Sequence, residues 1–351
     1  MKSPAAEWPT TAKSYDERMD IMSRGLRTTS VILVVISAMV LTGCSREKES
    51  NRINAGEGAF TEDIASAMVS GDNTVLIPYT EPDPALEAGP FGASTVIVDT
   101  EFTAKDITAN YEDSLATHIT FNGVDVNIDG EGAVASEGVV TITDEGTYVL
   151  AGSLTEGRLI VDAGEQDKIQ LVFQGIDINC SNNAPVYIKK ADKVFITLPE
   201  DTVNTLADGK DYVKDDMDNV DAVIFSRADL TLNGEGQLSI TSNYKHGILS
   251  KDDLVITGGI YHIAAVKDVI SGKDSVKIKD GTFLLSSMTG DGIESKNDED
   301  NTRGYIYICG GSIKITKCKE GMDSKVIAIA GGIIDITAEV KTTVVAVPVS
   351  Q

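Results

Sequence analysis

The sequence contains one tryptophan, Trp8, three histidines and four cysteines in 351 residues, and aromatic residues make up only 5% of it. Flat aromatic platforms are the usual means of gripping uncharged sugar rings. Their scarcity argues against a module that recognises neutral glycans alone. The few histidines and cysteines are not clustered, and the hard oxygen ligands present point to calcium rather than zinc or copper. Positive charge is also short: 30 Lys and Arg stand against 54 Asp and Glu, a net charge of −24. That excludes nucleic acid, whose partners present a basic face, and docking on anionic lipid by charge alone. No Gly-x-Ser-x-Gly elbow and no phosphate-cradling glycine loop occurs, so nucleophilic hydrolysis and nucleotide chemistry have no support. Amphipathic helical spacing is nearly absent.

What is present begins with an export signal. Arg24 and Arg27 precede "VILVVISAMV", an apolar run at residues 31–40. Ten residues suit the apolar region of a signal peptide; a spanning helix needs ~20. "LTGC" follows and looks like a bacterial lipobox, which implies cleavage before Cys44 and lipidation of its sulfur. The acidic residues ahead of Arg24 fit a signal poorly, and place the start of translation at Met19 or Met22. Residues 1–43 are thus read as leader and signal. Residues 44–95, polar and acidic with Pro78, Pro82, Pro84 and Pro90, are read as a flexible tether. The expected location is the bacterial cell surface, with a lipid anchor as the only membrane contact. Three cysteines remain beyond Cys44, an odd number that is no disulfide framework. Cys309 and Cys318 could pair, or serve as small buried apolar residues.

Beyond residue 96 the chain repeats itself. "KHGILSK", "KDVISGK", "GDGIESK" and "KEGMDSK" align on Lys251, Lys273, Lys296 and Lys325. Alternating runs follow each lysine, among them "DLVITGGIYHI" and "GYIYICGGSIKIT". Val276 with Ile278, Ile313 with Ile315, and Ile327 with Ile329 share a face at period two. Gly-Gly and Asp-Gly punctuate the runs. A unit this short cannot bury its own apolar face, but stacked copies can. Three short strands with three turns fill one unit, which predicts an all-β protein: a parallel β-helix over residues 96–345. A β-propeller takes about 40 residues per blade, and a β-sandwich does not explain the self-similarity.

These same stretches, together with "NTLADGKDYVKDDMDNVDAVIFSRADLTLNGEGQLSIT", resemble a family of bacterial carbohydrate-binding domains typified by a clostridial protein that binds cellulose and pectin. The resemblance implies a right-handed parallel β-helix similar to calcium-dependent pectate lyases, bound calcium, and affinity for acidic plant polysaccharide. The family's Asp-Gly-Ile signature is whole only at Asp291, Gly292 and Ile293; His246, Val269, Glu320 and Met322 depart from it.

The signature puts Asp268, Asp291 and Glu320 at equivalent positions of neighbouring turns, ~4.8 Å apart. Stacked carboxylates repel, and a calcium ion with oxygen ligands at ~2.3–2.6 Å fits between them. Glu294 and Asp323 lie nearby, and the "NDED" insertion could add Asn297, Asp298 or Asp300. The loop from Asp208 to Asp221, with Asp215, Asp216, Asp218 and Asp221, is a second candidate; its spacing is not that of an EF-hand. Solvated acidic loops are the plain alternative at both places. His246 and His262 read as ordinary strand or turn residues. Tyr187, Tyr212, Tyr244, Tyr261, Tyr305 and Tyr307 are available as sugar platforms, but alternating tyrosines in strands more often serve packing. Lys251, Lys273, Lys296 and Lys325 could meet the carboxylates of an acidic glycan, or offset neighbouring Asp.

The expected function is non-catalytic polysaccharide binding through calcium by a monomer, the ligand being an acidic plant glycan or cellulose. Two other classes stay open. A calcium-dependent lyase would use Lys273 or Lys296 as base. A structural surface adhesin would have no glycan specificity.

Overall fold

Strands of the expected length form, and each lies beside its equivalent one repeat away. The computed structural model describes residues 96–213 and 219–338, with the backbone of a two-residue strand at Thr74–Val75. Strand His246–Ser250 pairs in parallel with Ile270–Gly272, that with Ile293–Ser295, and that with Met322–Ser324. Asp253–Ile256, Ser275–Ile278, Tyr305–Ile308 and Val326–Ile329 form a second parallel ladder. Ile260–Ala265, Thr282–Ser287, Ser312–Lys317 and Ile333–Ile336 form a third. The chain is therefore a parallel β-solenoid with three strands per turn. Hydrogen bonding groups the strands into sheets of 9 and 17. The larger sheet covers two faces because Gly146–Leu154 and Lys168–Cys180 run through a corner and pair on both sides of it. Helix is confined, among the described residues, to Ala104–Ile107 and a 3-10 turn at Asp113–Leu115.

Period-two alternation fills the interior. Val276 and Ile278 are fully buried, as are Ile248, Ile270 and Ile293 one above another on the neighbouring face. Tyr261 and Phe283 stack inside, ring centroids 5.0 Å apart, and the Tyr261 hydroxyl donates to the Gly258 carbonyl. The Gly-Gly and Asp-Gly punctuation marks one corner. Gly259, Gly281, Gly311 and Gly332 precede four consecutive strands of the third ladder, all with positive φ. A Cβ on Gly311 would sit 2.7 Å from the Gly281 carbonyl oxygen, so side chains are excluded both by the turn and by the rung beneath it.

The expected domain began at residue 96, but the first strand of the solenoid is Thr117–Gly123. Residues 96–108 run along the outside of the second ladder, crossing rungs against the direction of the coil. Val96, Val98 and Phe102 pack on Tyr305, Tyr307, Val326 and Ala328. Lys277 donates to Asp99 at 2.6 Å. Farther along, buried Asp106 accepts from Thr231 at 2.7 Å and pairs with Lys193 at 2.8 Å. The strap explains why outward positions of these strands are apolar: they have a cover. The ends are closed by antiparallel strands, Asp125–Asp129 on Thr117–Gly123 and Ala133–Ser136 on Val139–Ile142. Thr74–Val75, inside the expected tether, pairs antiparallel with the last rung at Ile334 and Asp335. Such pairing removes exposed sheet edges. Cys180, Cys309 and Cys318 form no disulfide among the described residues, and Cys180 and Cys318 are buried.

Burial acts to raise the Asp106 carboxyl, but bonds from Lys193, Thr231 and Thr103 outweigh it and hold the group below its ordinary value. Asp106→Ala leaves Lys193 half of a buried pair. It should cost about 3 kcal/mol or more in denaturant unfolding, and the contribution of Asp106 should fade in wild type as pH falls through and below the ordinary carboxylate range. Equal stability of variant and wild type at pH 7 would count against the strap as a structural element.

Candidate functional site

Register decides which side chains meet on the nine-stranded sheet. Two residues before the central apolar residue of each strand, the stack reads Ala222, His246, Asp268, Asp291, Glu320. One residue after it, the outward row reads Ile160, Tyr187, Phe225, Leu249, Ser271, Glu294, Asp323. The face thus changes along its length. Its upstream half is apolar and covered, with Tyr187, Phe225 and Leu249 buried against Tyr212 and Val220 of the loop after Asp208. Its downstream half is acidic and open.

In the open half, oxygens of Asp291, Glu294 and Asp323 lie within 4.8 Å of one another. The Asp268 and Asp291 carboxylates stack, and each already has one structural task. Asp268 Oδ1 accepts the Asp291 N–H at 2.8 Å, and Asp291 Oδ1 accepts the Glu320 N–H at 3.0 Å. His246 Nδ1 stands 3.1 Å from Asp268 Oδ2. Burial alone would raise Asp268; His246 and the backbone bond bring it below its ordinary value. Asp291 is only 4% exposed, and burial together with the Asp268 charge pushes it up to about 6. Lys296 bridges the outer pair, at 2.9 Å from Glu294 and also against Asp323.

The remaining expected residues distribute unevenly. Glu320 stacks on Asp291, but its carboxylate pairs with Lys319 at 3.0 Å and lies outside the cluster of three. Asp298 is exposed and Asp300 turns into its own loop, accepting from Thr302 at 2.8 and 2.7 Å. The insertion does not fold over Asp291 as expected. It folds over the next corner of the rung, where Asn297 donates to Asp274 at 2.5 Å and Arg303 reaches Asp274 at 2.8 Å and Asp253 at 3.5 Å. The reason is connectivity: it leaves the rung after Lys296, past the carboxylate row rather than before it. Asp221 pairs with Lys245 at 3.1 Å; Asp215, Asp216 and Asp218 lie outside the described residues, as do Cys44 and the signal region.

Lysines 251, 273 and 296 line one shallow groove of about 320 Å³ together with His246, Ser271 and Glu294. Lys273 is paired with Glu299, which raises its pKa. Lys251 lies 5.6 Å from the Phe225 ring centroid. Lys325 is not in the groove; it donates to the carbonyls of Asn297 and Asp300 and so anchors the insertion. A second acidic cluster, Asp229, Asp252 and Asp253, was not foreseen. Burial and its two neighbours push Asp229 up to about 6. The signal was available in "RADL", "KDDL" and "KDSV", where aligning on the basic residue superposes the aspartates.

The raised Asp291 pKa sets a sign. Its folded value lies above the ordinary 3.8, so ionisation opposes folding across the window from about pH 4 to about pH 6 and stays unfavourable above it. In divalent-free buffer, Asp291→Asn should gain melting temperature relative to wild type on going from pH 4 to pH 7. A pH-independent difference would contradict the strained carboxylate.

Residues 136–348 match the model of a family described as carbohydrate-binding domain-containing protein. A relative of that description from Acetivibrio thermocellus is 38% identical over 209 residues, 59% of this chain and 73% of the relative. A solved structure, described as a polysaccharide lyase-like protein from C. thermocellum in a gadolinium derivative, aligns with a TM-score of 0.56 at 33% identity. The alignment covers 63% of this chain and 94% of that one. The chain belongs to the carbohydrate-binding domain-containing family.

Proposed function

We propose that this protein is an exported lipoprotein, anchored through Cys44, whose right-handed β-helix binds an acidic, pectin-like polysaccharide through calcium without cleaving it. One observation carries the reading: an all-oxygen cluster, Asp291, Glu294 and Asp323, borders an open groove edged by Lys251, Lys273 and Lys296. Calcium takes six to eight oxygen ligands. Three carboxylates with Asp268 behind them supply part of that shell, and glycan carboxylates can complete it. The cluster suits a hard cation, since it offers no sulfur and its only imidazole neighbour, His246, is turned to Asp268. Lys296 competes with the cation for Glu294 and Asp323. Binding without cleavage fits the groove better than lyase chemistry. A proton-abstracting lysine needs a lowered pKa, and Lys273 is held above its ordinary value by Glu299.

Calorimetric titration tests this. Calcium should bind saturably, and Asp291→Ala should abolish the heat. Affinity should fall between pH 7 and pH 5 as Asp291, with its pKa of about 6, takes up a proton. Polygalacturonate should bind with calcium and not with chelator, and no unsaturated product absorbing in the ultraviolet should accumulate. No calcium heat and unchanged melting under chelation would leave the acidic row a solvated surface of a structural solenoid.

A further prediction separates the cation from its competitor. An ion pair as exposed as Lys296 with Glu294 is worth about 1 kcal/mol at most. Lys296→Ala should therefore tighten calcium binding by up to about fivefold, while weakening polygalacturonate at fixed calcium saturation. Looser calcium binding in this variant would show that Lys296 supports the site instead of contesting it.

A further inference from the structure

The groove continues upstream into a second, more enclosed space. A cavity of about 250 Å³ lies between the loop after Asp208 and the covered half of the nine-stranded sheet. Arg158, Asn183, Tyr212, Tyr244 and Lys245 line it, and Asp221 forms a wall common to cavity and groove. At ~30 Å³ per water, the volume equals about eight waters, which is room for one sugar ring with its substituents and not for a length of polymer.

Its walls differ from the rest of the face. The Tyr212 and Tyr244 rings are stacked, centroids 4.3 Å apart and planes 21° apart. Tyr212 is fixed from behind. Its hydroxyl donates to Asp208 Oδ2 at 2.8 Å, and burial with the Asp208 charge raises its pKa. Tyr244 is half-buried, and its hydroxyl has no partner among the described residues. Lys245 lies 5.2 Å from the Tyr244 centroid and pairs with Asp221 at 3.1 Å. Arg158 sits at the start of strand Arg158–Asp162, half-buried, with no carboxylate partner among the described residues. A half-buried guanidinium facing a cavity beside an aromatic pair is suited to a planar anion attached to a ring with an apolar face.

Resting on the polysaccharide reading above, we infer that this cavity is a subsite for a single uronate residue at one end of the bound chain. The C–H face of the sugar ring packs on Tyr244. Its carboxylate is held by Arg158, and its hydroxyls bond to Asn183, Lys245 and Asp221. Recognition here uses a fixed guanidinium and needs no metal, unlike the downstream cluster.

Galacturonate, its neutral counterpart galactose, and a galacturonate trimer are the probes, each titrated into the full-length protein with calcium and with chelator, followed by NMR and calorimetry. The monosaccharide should bind weakly in chelator, and galactose should bind at least tenfold more weakly. Arg158→Gln should remove that preference, and Tyr244→Ala should weaken galacturonate and the trimer tenfold or more. Neither should change the calcium isotherm. Tyr244→Phe, which keeps the ring, should retain binding; it and Arg158→Gln decide the matter if Tyr244→Ala fails to fold. Trimer binding that needs calcium and is untouched by these variants would overturn the subsite and leave the calcium site standing. Galacturonate binding that vanishes in chelator or in Asp291→Ala would also overturn it. No binding of any probe to wild type, with polygalacturonate also silent, would overturn both.

Discussion

Parallel in-register stacking is the constraint on which the rest depends. Equivalent residues of successive turns lie ~4.8 Å apart, so each position of the repeat becomes a row along the solenoid. Isoleucine repeated at one position becomes a core column, as Ile248, Ile270 and Ile293 do. Glycine repeated at a corner becomes a line of left-handed turns. Carboxylates repeated at a position become a row of like charges, which cannot be relieved by moving one residue without breaking the ladder. Asp291 lies in such a row, and burial with its Asp268 neighbour raises its pKa to about 6.

Rows also explain how one sheet carries two surfaces. The position that holds Tyr187, Phe225 and Leu249 upstream holds Ser271, Glu294 and Asp323 downstream. The backbone is the same throughout, and only the side chains and their cover differ. Where the row is aromatic, the loop after Asp208 lies on it through Tyr212 and Val220. Where it turns acidic, the groove opens. The insertion after Lys296 lies to the side of the groove, tied to Asp274 and Asp253 by Asn297 and Arg303. An acidic cluster and an aromatic cavity thus lie on one face, and Asp221 lines both the cavity and the groove that reaches Glu294.

Much of the fold could be read from spacing alone. The lysine-aligned repeats, the period-two runs and the glycine pairs require stacked strands, because no single unit can bury its own apolar side. Asp268, Asp291 and Glu320 could be superposed for the same reason. The limit of such reading is side-chain direction at the corners. Glu320 has its position in the row, yet its carboxylate turns to Lys319. Asp300 is near Asp291 in sequence, yet bonds to Thr302. Lys325 belongs to the lysine ladder, yet is drawn to the carbonyls of the insertion. Each is a local choice between neighbours at similar distance, and periodicity is silent on it.

The sequence by itself determined the stack: an acidic, helix-poor repeat with alternating apolar residues has no other way to hide them. It also determined which residues share a row, since register follows from the repeat. Tertiary structure decided what covers each row. Residues 96–108 have no repeat of their own, and only packing places Phe102 against Tyr307 and Asp106 against Thr231 and Lys193. The pairing of Tyr212 with Tyr244 is likewise long-range. Contacts between a periodic body and its aperiodic coverings depend on shape and length, and these are not written in any period.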